Sequence, residues 1–334
     1  NSNVKTRLEF GIFHSELIAL LSAFFLATSY WHVNFSRIGF RAIMAPFFAI
    51  FGIYWLMKAV RTGKIFNTIL SGVFIGLGFH TYIAFRFMPL ALMAPVILSL
   101  AQWRRSRFVA SSVSIDYPID INRHPCVPCV IALFFLITFV VALPIGLYFL
   151  NYPQDFFGRG GQISIFSAES PIKEFAKSTI ITLGMFNVWG DCNPRHNLNC
   201  QPELFWPVGI FFIIGLIITA RGLFKKPLSS IPYILSAWFV FMMLPATLTR
   251  EGLPHALRSI GLIPPVMIFA GLGAARLFIR IENYFNDFIQ NPAWSKYHSR
   301  LYRIKKEIAA LLFVILLAVL ANTYRAYFHR FYSS

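Results

Sequence analysis

Three side chains that can carry positive charge crowd one short polar segment, 249–258: Arg250, His255 and Arg258. Pro254, in the same segment, suits the first turn of a helix. The start of a helix presents unpaired N–H groups and a positive dipole end, which together attract anions. An arginine can also hold two phosphate oxygens at once. The segment therefore predicts a site for a phosphate or a pyrophosphate, with contacts to lipid headgroups as the alternative.

Two other segments place basic residues at a helical spacing. Arg37 and Arg41 lie four residues apart, and so do Tyr82 and Arg86, which follow His80. Residues four apart share one face of a helix. The ordinary alternatives are that the arginines reach lipid phosphates and that the tyrosine belongs to the aromatic belt of a membrane protein. His80 and Arg86 together favour a binding role.

The long polar stretch 151–204 carries acidic candidates. Asp191 and His196 could act as a base, as a clamp for sugar hydroxyls or as metal ligands. One aspartate and one histidine are too few to define a metal site, so we assign no metal and no cofactor and leave a divalent ion open. The glycine-rich run 158–161 lacks the GxxxxGK[ST] pattern of a P-loop. The residues that we assign to a sugar or an acceptor are Asp155, Asp191, Arg195, His196 and Glu251.

Membrane helices are the elements that must position these residues. The 334 residues are 57% hydrophobic and 13% charged, with a mean hydropathy of +0.63, whereas soluble domains carry roughly a quarter charged residues. This composition excludes a cytosolic enzyme, a collagen, a disordered chain and a disulfide-stapled mini-protein. We predict an all-α polytopic membrane helical bundle of about nine transmembrane helices with a long outer loop. The predicted spans are 17–30, 42–57, 68–81, 87–101, 130–150, 205–220, 232–247, 259–279 and 308–324.

Basic residues set the predicted orientation. The formal net charge is +17, and its clusters all fall on one side if the spans alternate, which by the positive-inside rule is the cytoplasmic side. The amino end is then cytoplasmic, and the outer side receives 31–41, 80–86, 151–204 and 248–258. Because the charge is spread over inner loops with no soluble domain to present it, we exclude nucleic acid as a partner.

One transmembrane domain is predicted to fill residues 1–334, with the outer loop 151–204 inside it. Within that loop, segment 171–186 is either an amphipathic helix lying along the membrane or a helix packed on the bundle. The sequence starts at Asn1, without Met or a signal-peptide pattern, and stops just after a span. We therefore expect a piece of a longer protein, incomplete at the amino end and also at the carboxyl end.

The four cysteines fall into two pairs. Cys126 and Cys129 form a CxxC at the inner end of a span, which is a metal half-site, a redox pair or two small apolar residues at a helix entrance; the last interpretation is favoured because no second pair accompanies it. Cys192 and Cys200 lie in the outer loop, where an oxidising compartment could join them in a disulfide. Neither pair has the surroundings of a catalytic site.

Five segments together resemble a known family: SYWHVNFSRIGFRA, GLGFHTYIAFRFMPL, FGRGGQISIFS, LGMFNVWGDCNPRHN and LTREGLPHALRSIG. They are similar to bacterial integral-membrane glycosyltransferases of the GT-C superfamily, in the family 39-like branch that includes protein O-mannosyltransferases and the aminoarabinose transferase of lipid A. The resemblance implies transfer of a hexosyl or pentosyl group from a polyprenyl-phosphate donor to an acceptor outside the bacterial cytoplasmic membrane. The acceptor would be a lipid, a glycan or a protein.

The resemblance also assigns roles. In that superfamily the catalytic carboxylate lies in the first outer loop, but segment 31–41 has none, so we expect this residue upstream of Asn1. The basic and tyrosine residues would face the donor phosphate, and the membrane lipid would hold its tail. The residues assigned to the donor phosphate are Arg37, His80, Tyr82, Arg86, Arg250, His255 and Arg258.

Two other functions compete with glycosyl transfer. A flippase or transporter of a lipid-linked sugar would also need outward-facing cations, but it would need no catalytic carboxylate. Transporters more often place charges near mid-membrane or use discontinuous helices, and the predicted spans show little of either. A non-catalytic membrane scaffold would leave the clustered outer arginines and histidines without a purpose.

Overall fold

The computed structural model describes residues 2–112, 125–156, 164–225, 230–291 and 296–330. These residues form helices, short 3-10 turns and loops, and one isolated bridge between Ser164 and Thr249 is their single β-type pairing. The predicted all-α class is confirmed. Arg123 and the glycine-rich run 158–161 lie outside the described residues. The α-helices, in chain order, are α1 Ser2–Ala27, α2 Tyr30–Ile38, α3 Met44–Thr62, α4 Ile65–Gly78, α5 Met88–Ser112, α6 Val127–Asn151, α7 Pro171–Gly184, α8 Trp206–Lys225, α9 Ser230–Thr247, α10 Ile263–Gln290 and α11 His298–Arg325.

The helices are those of an integral membrane protein. Five helical segments in the described part of the chain are long and apolar enough to cross a membrane: Arg41–Thr62, Ile83–Arg107, Val127–Asn151, Trp206–Phe224 and Ile260–Gln290. A sixth crossing results if Ser15–Ala27 and Tyr30–Ile38, which are bent by 52°, act as one span. The other predicted spans fall on the shorter α4 and α9 and within α11.

The chain divides into two compact units. Unit 1 comprises residues 1–38, 184–221 and 265–334, and unit 2 comprises residues 39–183 and 222–264. In unit 2, α3, α4 and α6 meet through glycines: a Cβ at Gly52 would overlap the side chain of Ile75, and a Cβ at Gly72 would overlap that of Ile137. Small residues of this kind allow membrane helices to approach closely.

Unit 1 uses the same device on α1, α8 and α10. A Cβ at Gly215 would overlap the main-chain oxygen of Phe269, and a Cβ at Gly273 would overlap that of Phe211. Gly271 similarly makes room for Ser22 of α1. The backbones of these helices therefore touch at their crossings.

Two local predictions are wrong. Pro254 does not open a helix, because the chain runs through turns until Ile260–Leu262 and α10 begins at Ile263. Pro264, in the first turn of α10, takes the position where a missing N–H costs no hydrogen bond. Arg37 and Arg41 do not share one helix face, since α2 ends at Ile38 and Gly39 follows with φ of 73°, a conformation that glycine tolerates best.

The predicted helix of the outer loop is confirmed as α7, Pro171–Gly184. The side chains of Ile172 and Ile180 are 84% and 69% exposed, while Ser178 is buried and donates a hydrogen bond to the main-chain oxygen of Thr249 at 3.0 Å. The helix is therefore amphipathic and attached on its polar side. Whether its apolar side lies on a membrane stays a prediction.

Candidate functional site

Residues 185–205 of unit 1 form a closed loop whose two ends lie side by side. The N–H of Glu203 donates to the oxygen of Met185 at 3.0 Å, and that of Leu204 donates to Phe186 at 3.1 Å. Phe186 is fully buried against Trp31 of α2, at 6.1 Å between ring centroids. The loop is thus anchored at its base by main-chain hydrogen bonds and by apolar packing.

Short polar side chains shape the interior of this loop. The carboxylate of Asp191 accepts from the N–H of Asn193 at 2.8 Å, and the side-chain oxygen of Asn193 accepts from the N–H of Arg195 at 3.0 Å. Such bonds replace main-chain pairing in tight turns. A disulfide joins Cys192 to Cys200, with Cα atoms 4.2 Å apart. The pairing left open from the sequence is therefore present.

Asp191 and His196 form a buried pair. Nδ1 of His196 lies 2.7 Å from Oδ2 of Asp191, and the two residues are 5% and 4% exposed. The amide of Asn34 donates to the main-chain oxygen of His196 at 2.9 Å, and the ring of Phe35 lies 5.6 Å from the imidazole. A carboxylate on Nδ1 favours a proton there and fixes the ring orientation. Both residues are of types that could contribute metal ligands, although two ligands alone do not define a metal site.

Glu203 is a second buried acid, which the sequence analysis did not select. Its Oε1 accepts a hydrogen bond from the N–H of Asp191 at 3.2 Å, whereas its Oε2 has no hydrogen-bond partner among the described residues. Burial raises the pKa of Glu203 well above its usual value; the N–H of Asp191 opposes this rise, and the charge of Asp191 adds to it. The raised pKa favours the protonated carboxyl, which can donate a hydrogen bond.

A cavity of about 240 Å³ lies within unit 1, next to Glu203. Tyr30 also lines it, and the Tyr30 hydroxyl, like Oε2 of Glu203, is buried without a hydrogen-bond partner in the described part of the chain. Buried polar groups are nearly always paired, so two free ones in one cavity indicate a polar occupant. The other polar side chains that line it are Thr28, Ser29, Asn187, Asn197, Gln201, Asn322 and Thr323.

Glu203 could have been found from the sequence. It is an ionisable residue only three positions before α8, and such residues next to apolar spans are often functional. Tyr30 gave no comparable signal, because a tyrosine at the end of a span is ordinary. Its free hydroxyl became visible only when residues far apart in sequence were placed around it.

In unit 2, the structure brings three of the predicted phosphate-binding residues together. Nη1 of Arg258 donates to Oγ1 of Thr249 at 2.8 Å and to the main-chain oxygen of Glu251 at 2.7 Å. Nδ1 of His255 accepts from the N–H of Arg258 at 3.4 Å. Burial raises the pKa of Tyr82, and the positive charge of Arg258 opposes that rise, so Tyr82 is close enough to sense this arginine.

Other predicted residues of unit 2 are held elsewhere. Arg86 lies over the rings of Phe149 and Phe156, at 4.5 and 4.2 Å from their centroids, and donates to the main-chain oxygen of Phe156 at 2.7 Å. Nε2 of His80 lies 3.0 Å from the main-chain oxygen of Val141. Arg250 is exposed. Aromatic rings and main-chain oxygens thus account for the positions of Arg86 and His80.

The remaining predicted residues are mostly on exposed surfaces. Arg37, in unit 1, lies over the ring of Tyr327 at 4.8 Å. Asp155, in unit 2, accepts from the hydroxyl of Tyr148 at 2.6 Å. Arg195 and Glu251 are exposed. Of the residues assigned to a sugar or an acceptor, the structure therefore pairs only Asp191 and His196 with each other.

Cys126 and Cys129 are joined in a disulfide at the start of α6, with Cα atoms 5.3 Å apart. Their interpretation as two small apolar residues is therefore wrong. A three-residue separation at a helix start brings the two sulfurs within bonding reach, which a hydropathy pattern does not reveal.

Comparisons with protein-family models, with curated proteins and with solved structures found no match for this chain.

Proposed function

We propose that this protein transfers a sugar from a polyprenyl-phosphate donor to an acceptor on the extracytoplasmic side of a bacterial cytoplasmic membrane. The observation that carries the proposal is the unit 1 cavity, in which the Tyr30 hydroxyl and Oε2 of Glu203 are buried without partners. The cavity lies where the loop 185–205, which is predicted to be on the outer side, meets apolar helices. A lipid-linked sugar would present its ring at such a position.

The lining suits a hydroxyl-rich group. Amide side chains donate and accept hydrogen bonds, as sugar hydroxyls do, and Asn187 and Gln201 supply two of them. The amide of Asn197 also lines the cavity but already binds the main chain of Gln201 and Leu198. At about 240 Å³, the cavity is smaller than the roughly 300–1,000 Å³ of drug-sized pockets. This size favours one sugar ring over a larger ligand.

The reaction consists of one substitution at carbon. An acceptor hydroxyl oxygen attacks the anomeric carbon, the bond from that carbon to the phosphate oxygen breaks, and the polyprenyl phosphate leaves with the electron pair. The hydroxyl proton passes to a base; the resemblance gives this role to a carboxylate of the first outer loop, which segment 31–41 does not supply. The resemblance assigns stabilisation of the growing phosphate charge to Arg258, Arg250 and His255, which belong to unit 2. Asp191 and His196 do not line the cavity, so they act as positioning residues of the loop.

Tyr30→Phe tests the cavity directly. Its hydroxyl has no internal partner to lose among the described residues, so the folded protein should be at least as stable as the wild type. Transfer of a radiolabelled hexose from polyprenyl phosphate, measured in membranes that contain the full-length protein, should fall by up to about tenfold through a higher KM, the effect of one lost hydrogen bond.

Tyr233→Phe is the matched control. The Tyr233 hydroxyl donates to the main-chain oxygen of Leu223 at 2.9 Å, so this variant should lose stability but keep the KM of the wild type. Unchanged transfer by Tyr30→Phe would remove the cavity from the sugar site. Movement of the intact donor across proteoliposomes, without release of free polyprenyl phosphate, would instead identify a flippase.

A further inference from the structure

Three arginines line one groove of unit 1. The groove has a volume of about 640 Å³ and lies between residues 214–221 of α8 and residues 276–283 of α10. Arg221 is on α8, and Arg276 and Arg280 are on α10. Arg276 and Arg280 are four residues apart and share one helix face. All three side chains are exposed, so the groove is open to its surroundings.

The helix crossing explains why a groove opens here. The backbones of α8 and α10 touch where Gly215 meets Gly273. Beyond this point the two helices carry Ile217, Arg221 and Arg276. These side chains are larger than glycine and keep the two backbones further apart. The groove therefore begins where the glycine contact ends.

These arginines have no acidic partner in the described part of the chain. Glu282, two residues after Arg280, pairs with Nζ of Lys305 at 3.1 Å instead. No aspartate or glutamate among the described residues forms an ion pair with Arg221, Arg276 or Arg280. Three like charges around one groove repel each other, so an anion in the groove would be strongly favoured.

The depth of the groove indicates which anion. Arg221 follows Trp206, the first residue of α8, by 15 residues, or about 22 Å of helix. The hydrocarbon core of a membrane is roughly 30 Å thick. The arginines thus lie near the boundary predicted to be cytoplasmic, with Ile214 and Ile217 continuing the groove towards the membrane centre.

We propose that this groove binds an anionic glycerophospholipid of the cytoplasmic leaflet. The phosphate would contact the guanidinium groups of Arg221, Arg276 and Arg280, which bind phosphate oxygens well. One acyl chain would lie along Ile214 and Ile217. A soluble phosphate would use the arginines but not the apolar wall, so the combination favours a lipid.

Native mass spectrometry of the purified full chain, equilibrated with equal amounts of phosphatidylglycerol and phosphatidylcholine, tests this proposal. The wild type should retain phosphatidylglycerol in preference to phosphatidylcholine by about tenfold or more, since each basic residue near an anionic lipid adds to its attraction. Arg221→Gln/Arg276→Gln/Arg280→Gln should abolish this preference. The matched control is Arg300→Gln/Arg303→Gln/Lys306→Gln, which removes the same charge from exposed residues of α11 and should keep the preference.

Three results would overturn the proposal. Equal retention of the two lipids by the wild type would show no anionic site, and this measurement needs no variant to fold. If the triple-arginine variant still preferred phosphatidylglycerol, the lipid would bind at another site. The same conclusion would follow if the control variant lost the preference to the same extent. If inorganic phosphate at millimolar concentration displaced the lipid completely, the groove would be a site for soluble anions.

Discussion

The loop around Asp191 and the segment around Arg258 are both polar, yet they hold their charged residues in different ways. In the loop, buried side chains bind each other: Asp191 pairs with His196, and its N–H binds Glu203. In the segment, a half-buried Arg258 donates to one hydroxyl and to one main-chain oxygen. The first arrangement pairs polar atoms inside the protein, whereas the second positions a cation at the surface. We therefore expect the buried residues of the loop to stabilise its fold. We expect Arg258 in the segment to contact an anion.

Asp191→Ala should have the largest effect on stability. It leaves the buried His196 without its carboxylate and removes an acceptor for the N–H of Asn193. Each buried polar group that loses its hydrogen-bond partner costs roughly 1–3 kcal/mol. Reversible unfolding in mixed micelles should show a loss of this size. Asp155→Ala, which removes an exposed carboxylate, is the control and should change stability little. Equal losses of stability in the two variants would contradict a stabilising role of the buried Asp191 pair.

Arg258→Ala should affect turnover more than stability. If Arg258 stabilises the leaving phosphate, its removal should lower kcat/KM by about a hundredfold or more, with membrane abundance near that of the wild type. Arg258→Lys should restore only part of the activity, since lysine cannot bind two phosphate oxygens in the same way. Arg104→Ala, at an exposed site on α5, controls for the loss of one charge. A parallel fall of activity and abundance in Arg258→Ala would make this residue structural, as Asp191 is.

Glu203→Gln should change how stability depends on pH. Because the folded state raises the pKa of Glu203 above its ordinary 4.5, the unfolded chain ionises first as the pH rises. The wild type should therefore be most stable below about pH 4.5 and lose stability up to the folded pKa, by about 1.4 kcal/mol per unit of pKa difference. Glutamine cannot ionise, so the variant should lack this decline and be at least as stable at neutral pH. Thermal unfolding from acidic to neutral pH checks this, and parallel curves of stability against pH for the two proteins would contradict a raised pKa of Glu203 in the folded protein.

The fold class could be predicted from the sequence because long apolar segments are enough to identify membrane helices. The nine predicted spans all fall on helices, and α7 was predicted from its amphipathic pattern. Helix boundaries were less predictable where local signals competed. Pro254 and Pro264 are both suited to a first turn, and only the buried packing of 259–267 selects the second.

Site residues were predictable where their partners are close in sequence. Asp191 and His196 are five residues apart in one loop, so their pairing could be anticipated from the segment itself. The contacts of Arg86 with Phe149 and Phe156 join residues more than sixty positions apart, which no spacing rule predicts. Glu203 and Tyr30 were missed for the same reason, since the cavity that they share is assembled from α1, α2, α8, α10, α11 and the loop.

Arg86→Lys should have the smallest effect on stability. It tests whether Arg86 contacts the donor phosphate, as proposed for Arg258, or only packs on aromatic rings, as Arg37 does. Arg86 and Arg37 each lie over two aromatic rings, a contact worth about 0.5–1 kcal/mol at exposed sites. Lysine keeps the charge but loses the flat stacking surface, so both Arg86→Lys and Arg37→Lys should lower stability by this small amount. If Arg86 also contacts the donor phosphate, Arg86→Lys should lower kcat/KM several-fold beyond its effect on stability. Equal small changes in both variants, with transfer unaffected, would leave the rings as the full explanation for Arg86 and narrow the phosphate contact to the segment around Arg258.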